Sequence, residues 1–187
     1  MKVVVAIDSL KGSLSSLEAG EAIKSGVLKA MPEAEVCVRP LADGGEGTVE
    51  ALALGMGGEL KTVEVTGPLG EKVNCLYGIL EETKLEDYVK DADIVITGEG
   101  RLDGQTAFGK APIGVAKIAK KFDKTVLAFA GAVTKDAVVC NEHGIDAFFP
   151  ILRRTQTLQE AMTPEIARDN MVTTVEQVFR LINVRGV

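Results

Sequence analysis

Short runs of β-branched residues recur along this chain, each followed by a segment with helical spacing. Val3-Val4-Val5-Ala6-Ile7 and Asp93-Ile94-Val95-Ile96-Thr97 are the clearest. A strand that is apolar on both sides has no face to give to water, so it belongs in a sheet covered by helices on both faces. The spacing predicts strands at 3–7, 35–39, 93–97, 125–130 and 145–151. It predicts helices from Ser15 or Ser16 to Met31, at 48–54, 85–90, 113–122 and 135–142, and from Pro164 or a few residues earlier toward the end of the chain. Ser15 and Ser16 can cap the first helix, whose apolar positions are Leu17, Ile23, Val27, Ala30 and Met31, and Pro32 stops it. The last helix carries Ile166, Val172, Val175, Phe179 and Ile182. This alternation predicts an α/β three-layer sandwich with a mainly parallel sheet, of the Rossmann or flavodoxin-like kind. Lys61–Val65 and Lys72–Leu80 flank the turn sequence Thr66-Gly-Pro-Leu-Gly70, which predicts a β-hairpin at about 61–80. It is either an edge extension of the sheet or the start of something inserted.

The 187 residues suffice for one domain with a sizeable core. The net charge is −6, from 21 basic and 27 acidic residues, so no basic stripe is available for a phosphate backbone and nucleic acid is not an expected partner. No run approaches the roughly 20 apolar residues that span a bilayer, so no membrane partner is expected either. Cys37, Cys75 and Cys140 are far apart and form no CxxC pair, which points to neither a disulfide framework nor a zinc site. The expectation is a cytoplasmic, reduced protein.

In parallel sheets ligands gather at the carboxyl ends of the strands, so the loops there carry the functional reading. After the first strand come Asp8, Ser9, Lys11, Gly12 and Ser13, ahead of a helix N-terminus. A lysine beside the N–H groups of a helix start makes an anion site. The same residues also suit a plain polar loop with a serine cap. After the second strand, Asp43-Gly44-Gly45-Glu46-Gly47 lets backbone approach a ligand closely and offers acids for a hydroxyl or magnesium. A tight turn with capping acids is the alternative. After Thr97 come 13 polar and glycine-rich residues, Gly98 to Lys110, read as one long loop. They include Glu99, Arg101, Asp103, Gln105, Thr106 and Lys110. Gly98-x-Gly100-x-x-Asp103 is not a dinucleotide fingerprint, because Asp103 replaces the third glycine and would repel a pyrophosphate. Gly104-x-x-x-x-Gly109-Lys110-Ala111 is not a Walker A loop, because Ala111 lacks the hydroxyl that ligates magnesium. Gly131-Ala132-Val133 either lines the same edge or only turns.

Taken together, the strings IDSLKGSLSS at 7–16, PLADGGEGT at 40–48, TGPLG at 66–70 and ITGEGRLDGQTAFGKAPIGVA at 96–116 resemble the two-domain glycerate kinase family, of the bacterial glycerate 2-kinase type. The resemblance implies transfer of the γ-phosphoryl of ATP to a hydroxyl of D-glycerate, with Mg2+. It implies Asp8 and Asp43 as base or metal-binding acids, and Lys11 and Arg101 as charge neutralisers. Ser9, Ser13, Gly44, Gly45, Glu99, Asp103, Gln105, Thr106 and Lys110 would bind substrate or phosphate, with Asp43 or Asp103 able to meet magnesium. Members of that family are roughly twice this long. Their second domain would enter after Leu80 and leave before Lys84, so residues 1–80 and 84–187 would form one α/β domain that is discontinuous in the parent family. The resemblance thus implies a chain with little or no kinase activity alone, and an apolar face near 78–84 through which two copies could pair. The competing readings are a non-catalytic, engineered flavodoxin-like folding domain and a nucleotide-binding module of another class, such as an NAD enzyme.

Overall fold

The computed structural model describes residues 1–41, 59–66, 72–79 and 85–184, the second and third of these segments by their backbone. The helix expected at 48–54, the Asp43-Gly44-Gly45 turn, most of the TGPLG turn and residues 80–84 lie outside the described residues.

Five strands form one parallel sheet: β1 Lys2–Val5, β2 Glu35–Val38, β5 Ile94–Leu102, β6 Thr125–Val133 and β7 Ala147–Pro150, in the order β2-β1-β5-β6-β7. Between them in sequence, β3 Glu59–Thr66 and β4 Lys72–Ile79 pair antiparallel, Glu59 opposite Ile79 and Thr66 opposite Lys72. This is the expected hairpin, and it makes a sheet of its own instead of extending the edge of the larger one. The helices are α1 Ser16–Ala30, α2 Leu85–Lys90, α3 Ala111–Lys120, α4 Val139–Glu142, α5 Leu158–Ala161 and α6 Pro164–Val184. Counting only the strands of the large sheet, the order is 2-1-3-4-5, the flavodoxin-like arrangement.

The two-residue period of a strand splits β1 between two cores. Val3, Val5 and Ile7 face a layer built from α1 and α6, where Ile23, Val27, Met171, Val175 and Phe179 are buried. Val4 and Ala6 face the other layer, with Val89, Ile113, Ala116 and Cys140. Residues 3–7 are wholly inaccessible, as a run apolar on both sides requires. The buried face of α1 is Ser16, Ala19, Gly20, Ala22, Ile23, Gly26 and Val27, with Leu17 only half-buried. Small residues let α6 lie close: a Cβ on Gly26 would stand 2.6 Å from the Val172 carbonyl oxygen. Phe129 of β6 stacks on Phe149 of β7, ring centroids 5.5 Å apart.

The segment 98–110 departs from the sequence expectation. It is no 13-residue loop. β5 continues through Gly98, Glu99, Gly100 and Arg101 to Leu102, paired in parallel with Phe129 to Val133, and a 3-10 turn then spans Gly104–Phe108. Glycines read as loop by pattern, yet here they keep the strand because two backbones meet. A Cβ at Gly98 would stand 1.8 Å from the Phe129 carbonyl oxygen, and one at Gly131 would stand 2.6 Å from that of Gly100. Glu99 and Arg101 are therefore strand residues in fixed register.

Candidate functional site

β1 leads by way of α1 to β2 on one side, while β5 leads to β6 on the other. The space at the carboxyl ends of β1 and β5 is thus the switch point of the sheet, from which the two connections lead in opposite directions. The loop after β1 is pinned there. Asp8 N–H donates to the Gly98 carbonyl at 3.0 Å, Leu10 N–H donates to Leu14 O at 2.8 Å, and Leu14 N–H returns the bond at 3.1 Å. The Ser13 hydroxyl closes the same turn on Leu10 O at 3.0 Å. Ser15 caps α1 by accepting from Glu18 N–H, and Glu18 accepts in turn from Ser15 N–H at 2.9 Å. The buried Ser16 hydroxyl donates to Ile7 O at 2.6 Å and accepts from Leu41 N–H at 2.8 Å, joining the ends of β1 and β2 to the helix start.

This arrangement opens a cleft of about 860 Å3. Asp8, Ser9, Lys11, Ser13, Glu99, Arg101, Asp103 and Lys110 all line it, as do Gly131 and Ala132. Gln105 and Thr106 do not: Gln105 is exposed and Thr106 is buried beneath the cleft wall. Asp43, Gly44 and Gly45 lie outside the described residues. Arg153 is turned away to Asp169 of α6, 3.1 Å distant.

The acids at the cleft wall are tied together. The Asp103 carboxylate caps the 3-10 turn, accepting from Gln105 N–H at 3.0 Å and Thr106 N–H at 3.2 Å. The Thr106 hydroxyl donates to Glu99 at 2.6 Å. Lys110 Nζ stands 3.6 Å from Glu99 and 3.4 Å from Asp103, and Arg101 Nε stands 3.7 Å from Asp103. Burial dominates at Glu99 and pushes its carboxyl above the ordinary carboxylate range, against the pull of Thr106 and Lys110. At Asp103 burial also pushes up, but Lys110 and the two backbone N–H groups together hold the carboxyl below its ordinary value. Burial, and then the Glu99 and Asp103 carboxylates, push the Cys140 thiol up, so it packs as a neutral side chain, 3.7 Å from the Asp103 carbonyl. Among the described residues no group of three or more acidic, histidine or cysteine side chains is placed to hold a metal by itself. A magnesium ion carried on phosphates needs only one or two protein carboxylates, and those of Asp8, Glu99 and Asp103 border the cleft.

Part of the cleft lining was not read from the sequence. Leu10, Ile151, Leu152, Leu158, Met162 and Asn170 belong to it. The available signal was Asn170, an amide inside the apolar stripe of α6, next to Met171 and one turn after Ala167. No helix among the described residues is long and apolar enough to cross a membrane.

The glycerate kinase family model matches this chain in two stretches, residues 3–84 and 78–183. A glycerate kinase of Haemophilus influenzae is 46% identical over 104 residues, which is 56% of this chain and 27% of that protein. The glycerate 2-kinase of Escherichia coli is 52% identical over 77 residues, 41% of this chain and 20% of that protein. The aligned part of this chain thus spans about a quarter of the length of these curated relatives. The crystal structure of a candidate glycerate kinase 2 from Salmonella typhimurium superposes with a TM-score of 0.79 at 22% identity, over 100% of this chain and 99% of that one, a likeness of fold. With the family model covering nearly the whole length, the chain belongs to the glycerate kinase family.

Proposed function

We propose that this chain is the α/β part of an ATP-dependent kinase that phosphorylates a hydroxyl of D-glycerate. The observation that carries the reading is the convergence of the Asp8–Ser13 loop and the Glu99–Lys110 segment on one cleft at the switch point of the sheet. Phosphoryl transfer asks the protein chiefly for position and charge neutralisation. Lys11 and Arg101 supply positive charge for the glycerate carboxylate or the moving phosphoryl, while Ser9 and Ser13 border the same space. Asp8, which borders the cleft, takes the hydroxyl proton or meets the metal, and Asp43 is the other candidate for these two roles. Glu99 and Asp103 hold Lys110 between them, and Gln105 and Thr106 fix Asp103 through their backbone N–H groups. Magnesium, when bound with ATP, neutralises phosphate charge and lowers the barrier to in-line transfer.

In this reading a second domain belongs between residues 80 and 84 and supplies the opposite half of the cleft. Two things support it: the family matches meet at 78–84, and the relatives are far longer than the stretch they share with this chain. The chain alone then turns over glycerate slowly or not at all, because its site stays open to water. The test is glycerate-dependent ADP formation by the chain and by a two-domain form with the second domain restored. Lys11→Ala and Asp103→Ala in the restored enzyme should each lower turnover about 100-fold or more. Turnover within a few-fold of the parent in both variants refutes the assigned roles. Full turnover by the chain alone refutes its dependence on a second domain.

A further inference from the structure

β5 and β6 end side by side, Leu102 opposite Val133, and each runs into a 3-10 turn, Gly104–Phe108 after β5 and Lys135–Val138 after β6. The two turns meet at one peptide group, the one that joins Asp103 to Gly104. Its N–H donates to an Asp136 carboxylate oxygen at 3.1 Å. Its carbonyl accepts from Thr106 N–H at 3.0 Å and from the Cys140 thiol at 3.7 Å. The approach is close, for a Cβ on Gly104 would stand 2.6 Å from the same Asp136 oxygen. Asp136 is itself held, accepting from the Thr134 hydroxyl, while Thr134 N–H donates to Leu102 O at 3.0 Å. The Thr134 hydroxyl foremost, and more weakly Gly104 N–H and Arg101, keep the Asp136 carboxyl below its ordinary value, so its bond to Gly104 is charge-assisted. A peptide plane fixed at both its N–H and its carbonyl leaves the side chain before it few directions. That side chain is the Asp103 carboxylate, 3.4 Å from Lys110 Nζ and 3.7 Å from Arg101 Nε. Asp136 is exposed and does not line the cleft, so it acts there only through Asp103.

We propose that Asp136 is a positioning residue for phosphoryl transfer: by holding the Asp103–Gly104 peptide it aims the Asp103 carboxylate, and so places the Arg101 and Lys110 cations. The inference rests on the kinase reading and adds to it that the charge at the cleft wall is set by a turn outside the cleft. Cations that neutralise charge as it moves act mainly in the transition state, so displacing them lowers kcat more than it weakens substrate binding.

Asp136→Ala and Asp136→Asn test this together. Both remove the same charge, but asparagine keeps a carbonyl oxygen for Gly104 N–H. In this chain, amide hydrogen exchange followed by NMR should quicken about tenfold at Gly104, Gln105 and Thr106 in Asp136→Ala, and stay within about threefold of the parent in Asp136→Asn. The amides of β1 and α3 should exchange as in the parent in both, which separates a local loosening from a general loss of stability. In the restored two-domain enzyme, Asp136→Ala should lower kcat about tenfold with KM for glycerate within about twofold, and Asp136→Asn should recover most of the loss. Unchanged exchange at the three amides, a change in KM alone, or an asparagine variant as impaired as alanine overturns the inference. If the parent two-domain enzyme turns over glycerate and Asp136→Ala keeps its kcat, the inference falls while the kinase reading stands. If that parent turns over no glycerate, the kinase reading falls and the inference with it.

Discussion

Replacing Ser16 with alanine should destabilise the chain more than any other single hydroxyl removal near the cleft. Its hydroxyl makes two buried bonds, donating to Ile7 O at 2.6 Å and accepting from Leu41 N–H at 2.8 Å. Each is worth about 1 kcal/mol net. Ile7 O keeps a long bond from Leu41 N–H at 3.4 Å, so neither group is wholly stranded. Alanine is the better helix former by a few tenths of a kcal/mol, which offsets a little of the loss. The sum is a loss of about 1.5–2 kcal/mol. With a urea m-value of about 2 kcal/mol per M, the unfolding midpoint should fall by roughly 0.8–1 M. Ser15→Ala is the internal comparison, because it removes an exposed capping box worth about 1 kcal/mol and should move the midpoint roughly half as far. If Ser15→Ala shifts the midpoint as much as Ser16→Ala or more, the account of Ser16 as the joint between β1, β2 and α1 is wrong.

Three further outcomes are expected. Glu99→Gln should be as stable as the parent or more so at pH 7, with the difference vanishing below about pH 4. A carboxyl whose folded pKa is raised favours folding at low pH, and that contribution is lost as pH rises through the raised value. Urea midpoints at both pH values check this, and a variant that is weaker at pH 7 than at pH 4, relative to the parent, contradicts it. Thr97→Val should be neutral or stabilising by up to about 1 kcal/mol, because the Thr97 hydroxyl is fully buried and has no partner. A loss above about 1 kcal/mol in thermal unfolding would show a bond that this geometry lacks. Gly98→Ala should cost more than about 4 kcal/mol or abolish cooperative unfolding, since its Cβ would enter the Phe129 carbonyl. Gly109→Ala, where a Cβ meets nothing within 4 Å, should cost only about 1 kcal/mol for its left-handed backbone. Similar losses for the two glycine variants would sink the close-approach argument.

What could be read from the sequence was local. The β-branched run at 3–7 needs no partner to declare itself a buried strand, and Pro164 opens α6 where the periodic residues begin. The polar residues after the first strand and after Thr97 were legible as candidates by chemical type alone, and most of them border one cleft. The misreadings were set by distant contacts. Gly98 and Gly100 look like loop until β6 is laid beside them, because nothing nearby in sequence tells a turn glycine from one that admits a neighbouring backbone. The buried face of α1 is made of small residues because α6 presses on it, 140 residues or so downstream, so counting large apolar side chains picked Leu17 over Gly26. Thr106 and Gln105 stand beside the cleft and not in its lining, a placement set by the 3-10 turn whose N–H groups bond Asp103.

The placement of β1 has a consequence for how the chain is made. Its first strand is bordered on one edge by β2, a near neighbour, and on the other by β5, about 90 residues later. The core beneath it closes only when Met171, Val175 and Phe179 arrive on the last helix. During synthesis this strand therefore keeps an unpaired edge until β5 follows, and one apolar face uncovered until α6 does. Such high contact order slows folding and lengthens exposure to aggregation. Stop codons or stalls anywhere before α6 should release chains that chaperones hold and proteases clear, never a smaller stable unit.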